Sequence, residues 1–391
     1  MKILVTGADG YEGWPLVLHL KAEGHDVRGI DNEARRGWVS ETSGQSVQPI
    51  ADFGERKVFA EGCGVEMVHG LISTCIANEV RGFHPDAVVH LAEQPSAPYS
   101  MISKDFADYT LSNNISTTNA LLWAMREHAP DAHLIYVSTM GEYGTPGVPI
   151  PEGVFPADSL VSGDDECMLN HSGMMFPRKP GSYYHVSKVA SGAAVDFATR
   201  AWGLHATVLY QGVVAGVLHP ESSSAAGDVL TNTRFDVDEC FGTVFNRFCA
   251  QAVLGIPMTL YGGGLQRRGF ISLHDTVRSI AAFCADAVPA PGVVRHCNQI
   301  TEIRSMQELA EMVLEWYDGD AEIQTVPNPR VESQVHTYEV ATDNFRSVYP
   351  GSDVSLCVEV KSVLRMLQAN IVRLETLRDA ITPKTQWKAG R

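Results

Sequence analysis

Residues 1–20, "MKILVTGADGYEGWPLVLHL", join a short apolar strand pattern to an amphipathic helix pattern through a turn with three regularly spaced glycines. These glycines are Gly7, Gly10 and Gly13. In such a turn one glycine permits the tight bend, one lets a pyrophosphate approach the backbone, and one lets the helix pack against the strand. The stretch therefore predicts a strand–turn–helix unit that binds a dinucleotide.

An acidic residue follows at the position where such a unit selects its cofactor. Asp31 ends the second strand pattern, "HDVRGID". A carboxylate at this point binds the ribose hydroxyls of adenosine and repels a 2′-phosphate. The sequence therefore favours NAD over NADP, although Arg35 and Arg36 could hold a 2′-phosphate and keep NADP open as the alternative.

Apolar strand patterns alternate with helix-length amphipathic segments through the first half of the chain. This alternation predicts an α/β fold, a Rossmann-type doubly wound parallel sheet with a smaller, discontinuous C-terminal substrate-binding lobe. We expect the NAD-binding domain over residues 1–210, with insertions at about 38–64 and 145–181. Residues 211–391 are expected to form mainly the lobe, with segments that return to the first domain.

The composition excludes several classes of partner and site. The formal net charge of −16 disfavours binding to nucleic acid or to an anionic membrane. The eight cysteines form no C-x-x-C pair, so neither a metal site nor a disulfide framework is expected. With no leader pattern and no apolar run of about 20 residues, the sequence predicts a cytoplasmic protein without a membrane span.

A tyrosine and a lysine stand four residues apart in "PGSYYHVSKVASG". On a helix, Tyr184 and Lys188 share one face, and a lysine cation near a phenol lowers the phenol's pKa. Such a tyrosine can take a proton from an alcohol while hydride leaves the same carbon for a nicotinamide. The spacing alone also fits an ordinary amphipathic helix with an exposed lysine.

The strand pattern "LIYVSTMGEYGTP" decides between these interpretations. Its carboxyl end presents Ser138, Thr139 and Glu142. The carboxyl ends of parallel strands border the ligand crevice, so a hydroxyl there can bond the same substrate oxygen as Tyr184. We therefore predict one active site that performs hydride transfer. A dinucleotide-binding sensor or scaffold is the alternative from a different class, and the presence of both Tyr184 and Lys188 argues against it.

Together these motifs resemble the extended short-chain dehydrogenase/reductase family, the NAD-dependent epimerases and dehydratases that modify nucleotide sugars. Further resemblance lies in "HLAEQ" (His90–Gln94), in "NNISTTNALL" and in "LYGGGLQRRGFISLHD". The resemblance implies a homodimer formed through the helix that carries Tyr184. It also implies an NAD site formed by Gly7, Gly10, Tyr11, Gly13, Asp31, Asn32, Arg35, Ile72, Leu91, Gln94, Asn114 and Lys188.

Within this family, "TMGEYGTP", "YYHVSKV", "VFNRFCAQA" and "VPNPRVE" are most similar to the UDP-sulfoquinovose synthase branch, which uses UDP-glucose and sulfite. The resemblance implies catalytic roles for Thr139, Tyr184, Lys188, Glu142 and His185. It implies that the nucleotide sugar contacts Tyr99, Met140, Gln211, Asn246, Arg268 and Arg330. From the residues alone, His185 fits a partly buried helix position equally well, and each arginine fits a surface ion pair.

The resemblance implies oxidation of the sugar at C4 to a 4-ketone, then loss of water and addition of sulfite. Two positions depart from the pattern. Pro95 stands where similar proteins carry an arginine that could attract sulfite, and Leu71 stands where many carry an aspartate near adenine. An epimerase or dehydratase that acts on a nucleotide sugar without sulfite therefore stays open as the alternative.

Overall fold

The computed structural model describes residues 1–155, 160–162, 168–170, 173–217, 228–328, 338–352, 354–382, 384 and 387. Its strands are β1 (Lys2–Thr6), β2 (Asp26–Asp31), β3 (Val65–His69), β4 (Ala87–His90), β5 (His133–Thr139), β6 (Leu160–Ser162), β7 (Met168–Asn170), β8 (His205–Gln211), β9 (Val213–Ala215), β10 (Met258–Tyr261), β11 (Arg267–Ser272), β12 (Val294–Gln299), β13 (Glu302–Ser305) and β14 (Ile323–Val326). Its α-helices are α1 (Gly13–Ala22), α2 (Ala34–Glu41), α3 (Phe53–Gly62), α4 (Ile72–Phe83), α5 (Lys104–His128), α6 (Tyr183–Trp202), α7 (Val244–Val253), α8 (Leu273–Ala285), α9 (Met306–Trp316), α10 (Asp343–Val348), α11 (Leu356–Ala369), α12 (Ile371–Glu375) and α13 (Arg378–Ile381). Short 3-10 helices cover Tyr99–Met101 and Met140–Glu142.

Seven parallel strands form the main sheet in the order β12-β8-β5-β4-β1-β2-β3. From β1 the chain proceeds outward through β2 and β3, and then returns to build β4, β5 and β8 on the other side. The order of the strands thus reverses between β1 and β4, where ligands bind in doubly wound sheets. The predicted fold class is confirmed.

The first strand shows why its sequence is continuously apolar. Ile3 and Val5 enter the core on one face of the sheet, together with residues of α1 and α8. Leu4 enters the core on the other face, together with residues of α4, α5 and α6. Because helices cover both faces, neither face of β1 can be polar. Each such fully enclosed aliphatic side chain contributes roughly 1.5–3 kcal/mol.

A second lobe is built from smaller sheets. In it β11 pairs with β9 and β13, and β10 pairs with β14. Helices α7, α9 and α11 enclose a separate apolar core that includes Phe248, Val313 and Val363. Between these segments the chain returns to the main sheet, where β12 pairs with β8.

The two regions predicted as insertions contain ordered elements. Residues 38–64 include α3, whose start is fixed by a capping box between Asp52 and Glu55. Val47 donates its backbone N–H to the carbonyl oxygen of Phe235, which ties this region to the chain that precedes α7. In the other region, β6 and β7 pair as antiparallel strands.

Over the described ranges, no helix is long and apolar enough to span a membrane. The same part of the chain contains no group of three or more histidine, cysteine, aspartate or glutamate side chains arranged to hold a metal ion.

Candidate active site

A cleft of about 980 Å³ opens where the main strands end. One wall is formed by residues at the carboxyl ends of the strands, among them Gly7, Asp31, Leu91 and Thr139. The opposite wall comes from the second lobe, including the first turn of α7 and part of β11. The cleft thus lies at the reversal of strand order and between the two cores.

The glycine turn has the geometry that its sequence predicts. Gly7 has a φ of +79°, and a Cβ atom there would lie 2.8 Å from the backbone of Leu91. A Cβ atom at Gly13 would lie 2.0 Å from the carbonyl oxygen of Gly7. Gly10 lines the cleft, and a Cβ atom there would lie 3.0 Å from the carbonyl oxygen of Gly7. The turn therefore leaves room for a pyrophosphate at a helix N-terminus, and an NAD cofactor fits it.

Asp31 is held rigidly at the adenosine end of the cleft. Its carboxylate accepts hydrogen bonds from the backbone N–H groups of Asp9, at 2.9 Å, and Glu33, at 2.7 Å. Burial, together with the nearby Asp9 carboxylate, raises the pKa of Asp31 to about 6. Above that pH the group is a carboxylate, as the predicted ribose contact requires.

Arg35 and Arg36, the two arginines that could hold the 2′-phosphate of NADP, each form an ion pair with a carboxylate. Arg35 lies 2.7 Å from the Asp236 carboxylate, and Arg36 lies 2.7 Å from the Asp9 carboxylate. Asp9 is also paired with the fully buried Arg56 at 2.6 Å. A 2′-phosphate would have to compete with these carboxylates and with Asp31, which disfavours NADP. Sequence reasoning missed Asp9 and Arg56, because their pairing joins residues that are far apart in the chain.

Tyr184 and Thr139 meet in the cleft. Tyr184 lies in the first turn of α6, and its backbone N–H donates to the Ser100 hydroxyl at 3.0 Å. Its half-buried phenol is hydrogen-bonded to the side chain of Thr139, which ends β5. The structure therefore places the phenol and the hydroxyl where one substrate oxygen can contact both.

Lys188 does not act on Tyr184 in the predicted way. Its ammonium donates to the carbonyl oxygen of Val137 at 2.6 Å and forms an ion pair with Glu93. The pKa of Tyr184 is raised, first by burial and then by the carboxylates of Glu93, Glu12 and Glu142. The expectation that Lys188 lowers this pKa is wrong, because Glu93 offsets the lysine charge. Lys188 also lies behind the cleft wall and not on it.

Glu142 is similarly enclosed. It is almost fully buried, accepts a hydrogen bond from the Ser138 hydroxyl and pairs with Arg178 at 3.1 Å. Burial raises the pKa of its carboxyl group, an effect that Arg178 opposes. Glu142 is not among the residues that line the cleft; its contacts with Ser138 and Arg178 place it beside the end of β5, and its catalytic role stays a prediction.

His185 lies on the cleft surface beside Gly141. Its ring Nδ1 lies 3.0 Å from the Ser182 hydroxyl. A Cβ atom at Gly141 would lie 2.2 Å from the Nε2 atom of His185. Any side chain at position 141 would therefore displace the imidazole, which explains why the strand end reads Met-Gly here.

Most of the predicted contact residues line the cleft. The lining set consists of Gly7, Gly10, Tyr11, Gly13, Asp31, Asn32, Arg35, Ile72, Leu91, Thr139, Met140, Tyr184, His185, Gln211 and Arg268. Pro95 and Leu71, the two departures from the family pattern, line it as well. Arg330 lies outside the described residues.

Gln94 and Asn114, two of the supporting residues, hold the loop after β4. The Asn114 side chain accepts a hydrogen bond from the Gln94 backbone N–H at 2.7 Å and donates to the Ser187 hydroxyl at 2.9 Å. The amide thus ties the loop to α5 and α6 behind the cleft wall. Neither residue is among those that line the cleft, and the direct cofactor contact that the resemblance implies for them stays a prediction.

Tyr99 and Asn246 are also supporting residues. The Tyr99 hydroxyl donates to Glu41 at 2.9 Å, and burial raises the pKa of its phenol. The Asn246 side chain accepts a hydrogen bond from the Gly216 backbone N–H at 3.2 Å. Neither residue is among those that line the cleft, and the substrate contacts that the resemblance implies for them stay predictions.

Sequence reasoning missed three charged residues that shape the site. Glu12, within the glycine turn, lines the cleft and accepts a hydrogen bond from Gln211 at 2.9 Å. Glu93 and Arg178 neutralise Lys188 and Glu142, respectively. Glu12 and Glu93 stand in quoted motifs, and a charged residue in a loop that follows a buried apolar strand was the available signal. Arg178 lies in the loop before α6 and offered no such signal.

Comparison with known proteins supports this geometry. The model of the NAD dependent epimerase/dehydratase family matches residues 3–295. A UDP-sulfoquinovose synthase of Sulfolobus acidocaldarius is 38% identical over 99% of this chain and 98% of its own length. The chloroplastic UDP-sulfoquinovose synthase of Spinacia oleracea is 38% identical over 99% of this chain and 79% of its own.

Solved structures show the same fold at low identity. The UDP-glucuronic acid 4-epimerase of Bacillus cereus, solved with UDP-glucuronic acid and NAD, superposes with a TM-score of 0.67 at 21% identity over 94% of this chain and 99% of its own. The UDP-glucose 4-epimerase of Thermotoga maritima gives 0.66 at 18% identity over 95% and 100%. The family match confirms the predicted enzyme class and NAD as the cofactor. With three quarters of its length matched and two full-length relatives at 38% identity, the chain belongs to the NAD dependent epimerase/dehydratase family.

Proposed function

We propose that this enzyme acts on a nucleotide sugar by transient oxidation at C4, and that it converts UDP-glucose and sulfite into UDP-sulfoquinovose. The observation that carries the proposal is the 38% identity, over almost the whole chain, to two proteins with this activity in their names. The hydrogen bond between Thr139 and Tyr184 in the cleft supports the shared first step.

The residues around the glycine turn would hold the cofactor. Gly7, Gly10 and the start of α1 would contact its pyrophosphate, and Asp31 would contact its adenosine ribose. Bound NAD supplies a nicotinamide that accepts hydride from C4 and returns it later. The second-lobe residues, with Arg268 among them, would hold the nucleotide diphosphate from the opposite wall.

Tyr184 and Thr139 would handle the proton of the C4 hydroxyl. Thr139 orients the oxygen, while Tyr184 takes the proton during oxidation and gives it back when the ketone is reduced. The raised pKa keeps the phenol protonated near neutral pH, which suits the reducing step. Proton removal needs the phenolate, so we expect the oxidising step to speed up as the pH rises. The 4-ketone acidifies the hydrogen at C5, which prepares the loss of water from C6.

One observation favours a second candidate, an epimerase or dehydratase that does not use sulfite. Pro95 lines the cleft and provides neither a charge nor a backbone donor. If no other residue attracts sulfite, the 4-keto sugar would be reduced on its opposite face or would be released after dehydration.

Incubation of the purified protein with UDP-glucose, sulfite and NAD in heavy water, followed by mass spectrometry of the nucleotide sugar, tests the proposal. Net gain of one SO2 is the expected result. Loss of water identifies a dehydratase, and an unchanged formula calls for chromatography of the C4 epimer. If wild-type and Tyr184→Phe proteins both leave the sugar unchanged and free of deuterium, the proposed function is wrong.

We also propose that two copies of the chain associate through α5 and α6. These helices pack against each other and expose large apolar side chains: Tyr109, Ile115, Trp123, Tyr183, Val186 and Phe197. Apolar groups concentrated on one pair of helices are typical of a homodimer interface. Sedimentation equilibrium is expected to give twice the mass of the chain, and Phe197→Glu is expected to shift the protein towards the monomer.

A further inference from the structure

Arg247 is a buried cation that has no acidic partner in the described part of the chain. It lies in the first turn of α7 and lines the cleft with only 9% of its surface exposed. Among the described residues its Nε atom has no hydrogen-bond partner, and its Nη1 atom lies 3.5 Å from the carbonyl oxygen of Gly242, at the outer limit of a hydrogen bond. Across the described ranges no carboxylate lies within ion-pair distance of it.

Three other arginines near the site differ from Arg247 in this respect. Arg35 and Arg234 share the Asp236 carboxylate, and Arg178 pairs with Glu142. A guanidinium that is nine-tenths buried and unpaired is costly to maintain, because the protein neither solvates nor neutralises its charge. Such a group on the wall of a ligand cleft indicates a site for an anion.

The position of Arg247 identifies the part of the cleft that it serves. The segment before α7 lies against the loop that follows β4, since the Ser96 hydroxyl donates to the Cys240 carbonyl oxygen at 2.5 Å. The Tyr99 ring of that loop packs on Phe241, with centroids 5.5 Å apart. Arg247 is also close enough to Cys240 to act electrostatically on its thiol. Arg247 therefore borders the same region of the cleft as Pro95.

We propose that Arg247 binds the sulfite co-substrate, and that it provides the positive charge that Pro95 does not. The proposal rests on the proposed function and names the residue that makes sulfite use compatible with Pro95. A guanidinium matches an oxyanion with two parallel N–H donors and stays charged at every relevant pH. The diphosphate of the nucleotide sugar is the other source of oxyanion chemistry in this cleft, so the experiment must separate the two.

Arg247→Gln is the decisive variant, and Arg81→Gln is its matched control. Arg81 lies on the exposed side of α4, where its guanidinium donates to the Asn78 side chain at 2.8 Å. We expect Arg247→Gln to raise the KM for sulfite at least tenfold while the Kd for UDP, from calorimetry, changes less than twofold. Arg247→Lys is expected to give an intermediate KM, and Arg81→Gln is expected to match the wild type.

Two results would overturn the inference. An unchanged KM for sulfite in Arg247→Gln would mean that Arg247 does not bind it. A loss of UDP affinity as large as the loss for sulfite would assign Arg247 to the diphosphate. UDP binding and the thermal midpoint show whether the variant is folded. If Arg247→Gln is not folded, Arg247→Lys tests the inference instead. A KM for sulfite equal to that of the wild type in Arg247→Lys would contradict a bidentate guanidinium site.

Binding of sulfate, an unreactive oxyanion, separates this inference from the proposed function. If the wild type binds sulfate and Arg247→Gln does not, Arg247 is an oxyanion site even where no sulfite is transferred. If sulfite is transferred but Arg247→Gln behaves as the wild type, only the inference fails. If the wild type neither transfers sulfite nor binds sulfate, both are wrong.

Discussion

Lys188 and Glu93 form a buried ion pair at the cleft, and Glu93 is one of the residues that line it. The Thr118 hydroxyl donates to the same carboxylate at 2.9 Å, so Glu93 is fixed from two sides. The Glu93 carboxylate thereby neutralises the Lys188 ammonium, and the pKa of the Tyr184 phenol is raised. The pKa of the phenol thus depends on a residue that is far from Lys188 in the chain and follows a different strand of the sheet.

Replacing Glu93 by Gln should move the pH dependence of turnover to lower pH. Glu93 is, after burial, the largest cause of the raised Tyr184 pKa, so its removal lowers that pKa. Proton removal needs the phenolate, and the rising limb of kcat against pH therefore shifts to the acidic side. The variant should also lose about 3 kcal/mol of stability, because Lys188 is left buried and unpaired. A pH–rate profile and a denaturant titration measure both effects.

Thr118→Val serves as the control for this prediction, since it removes one hydrogen bond to Glu93 but keeps the charge pair. Its pH profile should move little. An unshifted profile in Glu93→Gln, with the ion pair removed, would contradict the link between Glu93 and Tyr184.

Tyr184→Phe should abolish proton transfer while leaving the cleft intact. We expect turnover to fall by about 10²–10⁴-fold, the contribution typical of a positioned acid–base group. The Kd for UDP, measured by calorimetry, should stay within about twofold of the wild type, because the phenol oxygen is not part of the second-lobe wall.

Thr139→Ser keeps a hydroxyl and should retain more activity than Thr139→Val. Equal activities of these two Thr139 variants would argue against a role for the hydroxyl.

Gly141→Ala should displace the imidazole of His185. The new methyl group would lie 2.2 Å from Nε2, so the ring must rotate or shift. Displacement by about 1 Å near reacting atoms can reduce turnover by up to about 10²-fold, and we expect a loss in that range. Comparing kcat of Gly141→Ala with that of His185→Ala tests whether the two changes act through the same ring. If His185→Ala is fully active, the ring has no part in the reaction and the prediction fails.

NAD affinity should decrease as the pH falls through about 6. The pKa of Asp31 is raised to about 6, so the group is a carboxylate above that pH and a neutral acid below it. The neutral acid binds ribose hydroxyls less well than the carboxylate does. Calorimetric titration of NAD between pH 5 and pH 8 is the measurement, and Asp31→Asn should remove the pH dependence.

Asp31→Asn should narrow the preference for NAD over NADP without reversing it. Arg35 and Arg36 stay paired with Asp236 and Asp9, so neither becomes available to a 2′-phosphate. Adding Asp236→Asn releases Arg35, and NADP affinity should then rise. Tight NADP binding by Asp31→Asn alone would show that the arginines are not held by their partners.

The sequence alone predicted those features of the fold and of the site that depend on residues close together in the chain. The glycine spacing in the first turn follows from the close approach of Gly7, Gly13 and the neighbouring strand. The four-residue spacing of Tyr184 and Lys188 follows from the helical repeat. Apolar runs revealed the strands, because helices cover both faces of the main sheet. These features depend on a few neighbouring residues, so they can be read directly from the chain.

Tertiary structure alone decided where each charge is neutralised. Whether Lys188 faces the phenol of Tyr184 or the carboxylate of Glu93 depends on how α6 packs beside the loop after β4. The pairing of Glu142 with Arg178 likewise depends on how distant parts of the chain pack together. For Arg247 the fold provides no carboxylate partner in the described part of the chain. Local sequence determined the backbone turns and the helical spacing, because those follow from short-range geometry. The electrostatics of the site followed from burial and from partners distant in sequence, which only the folded chain brings together.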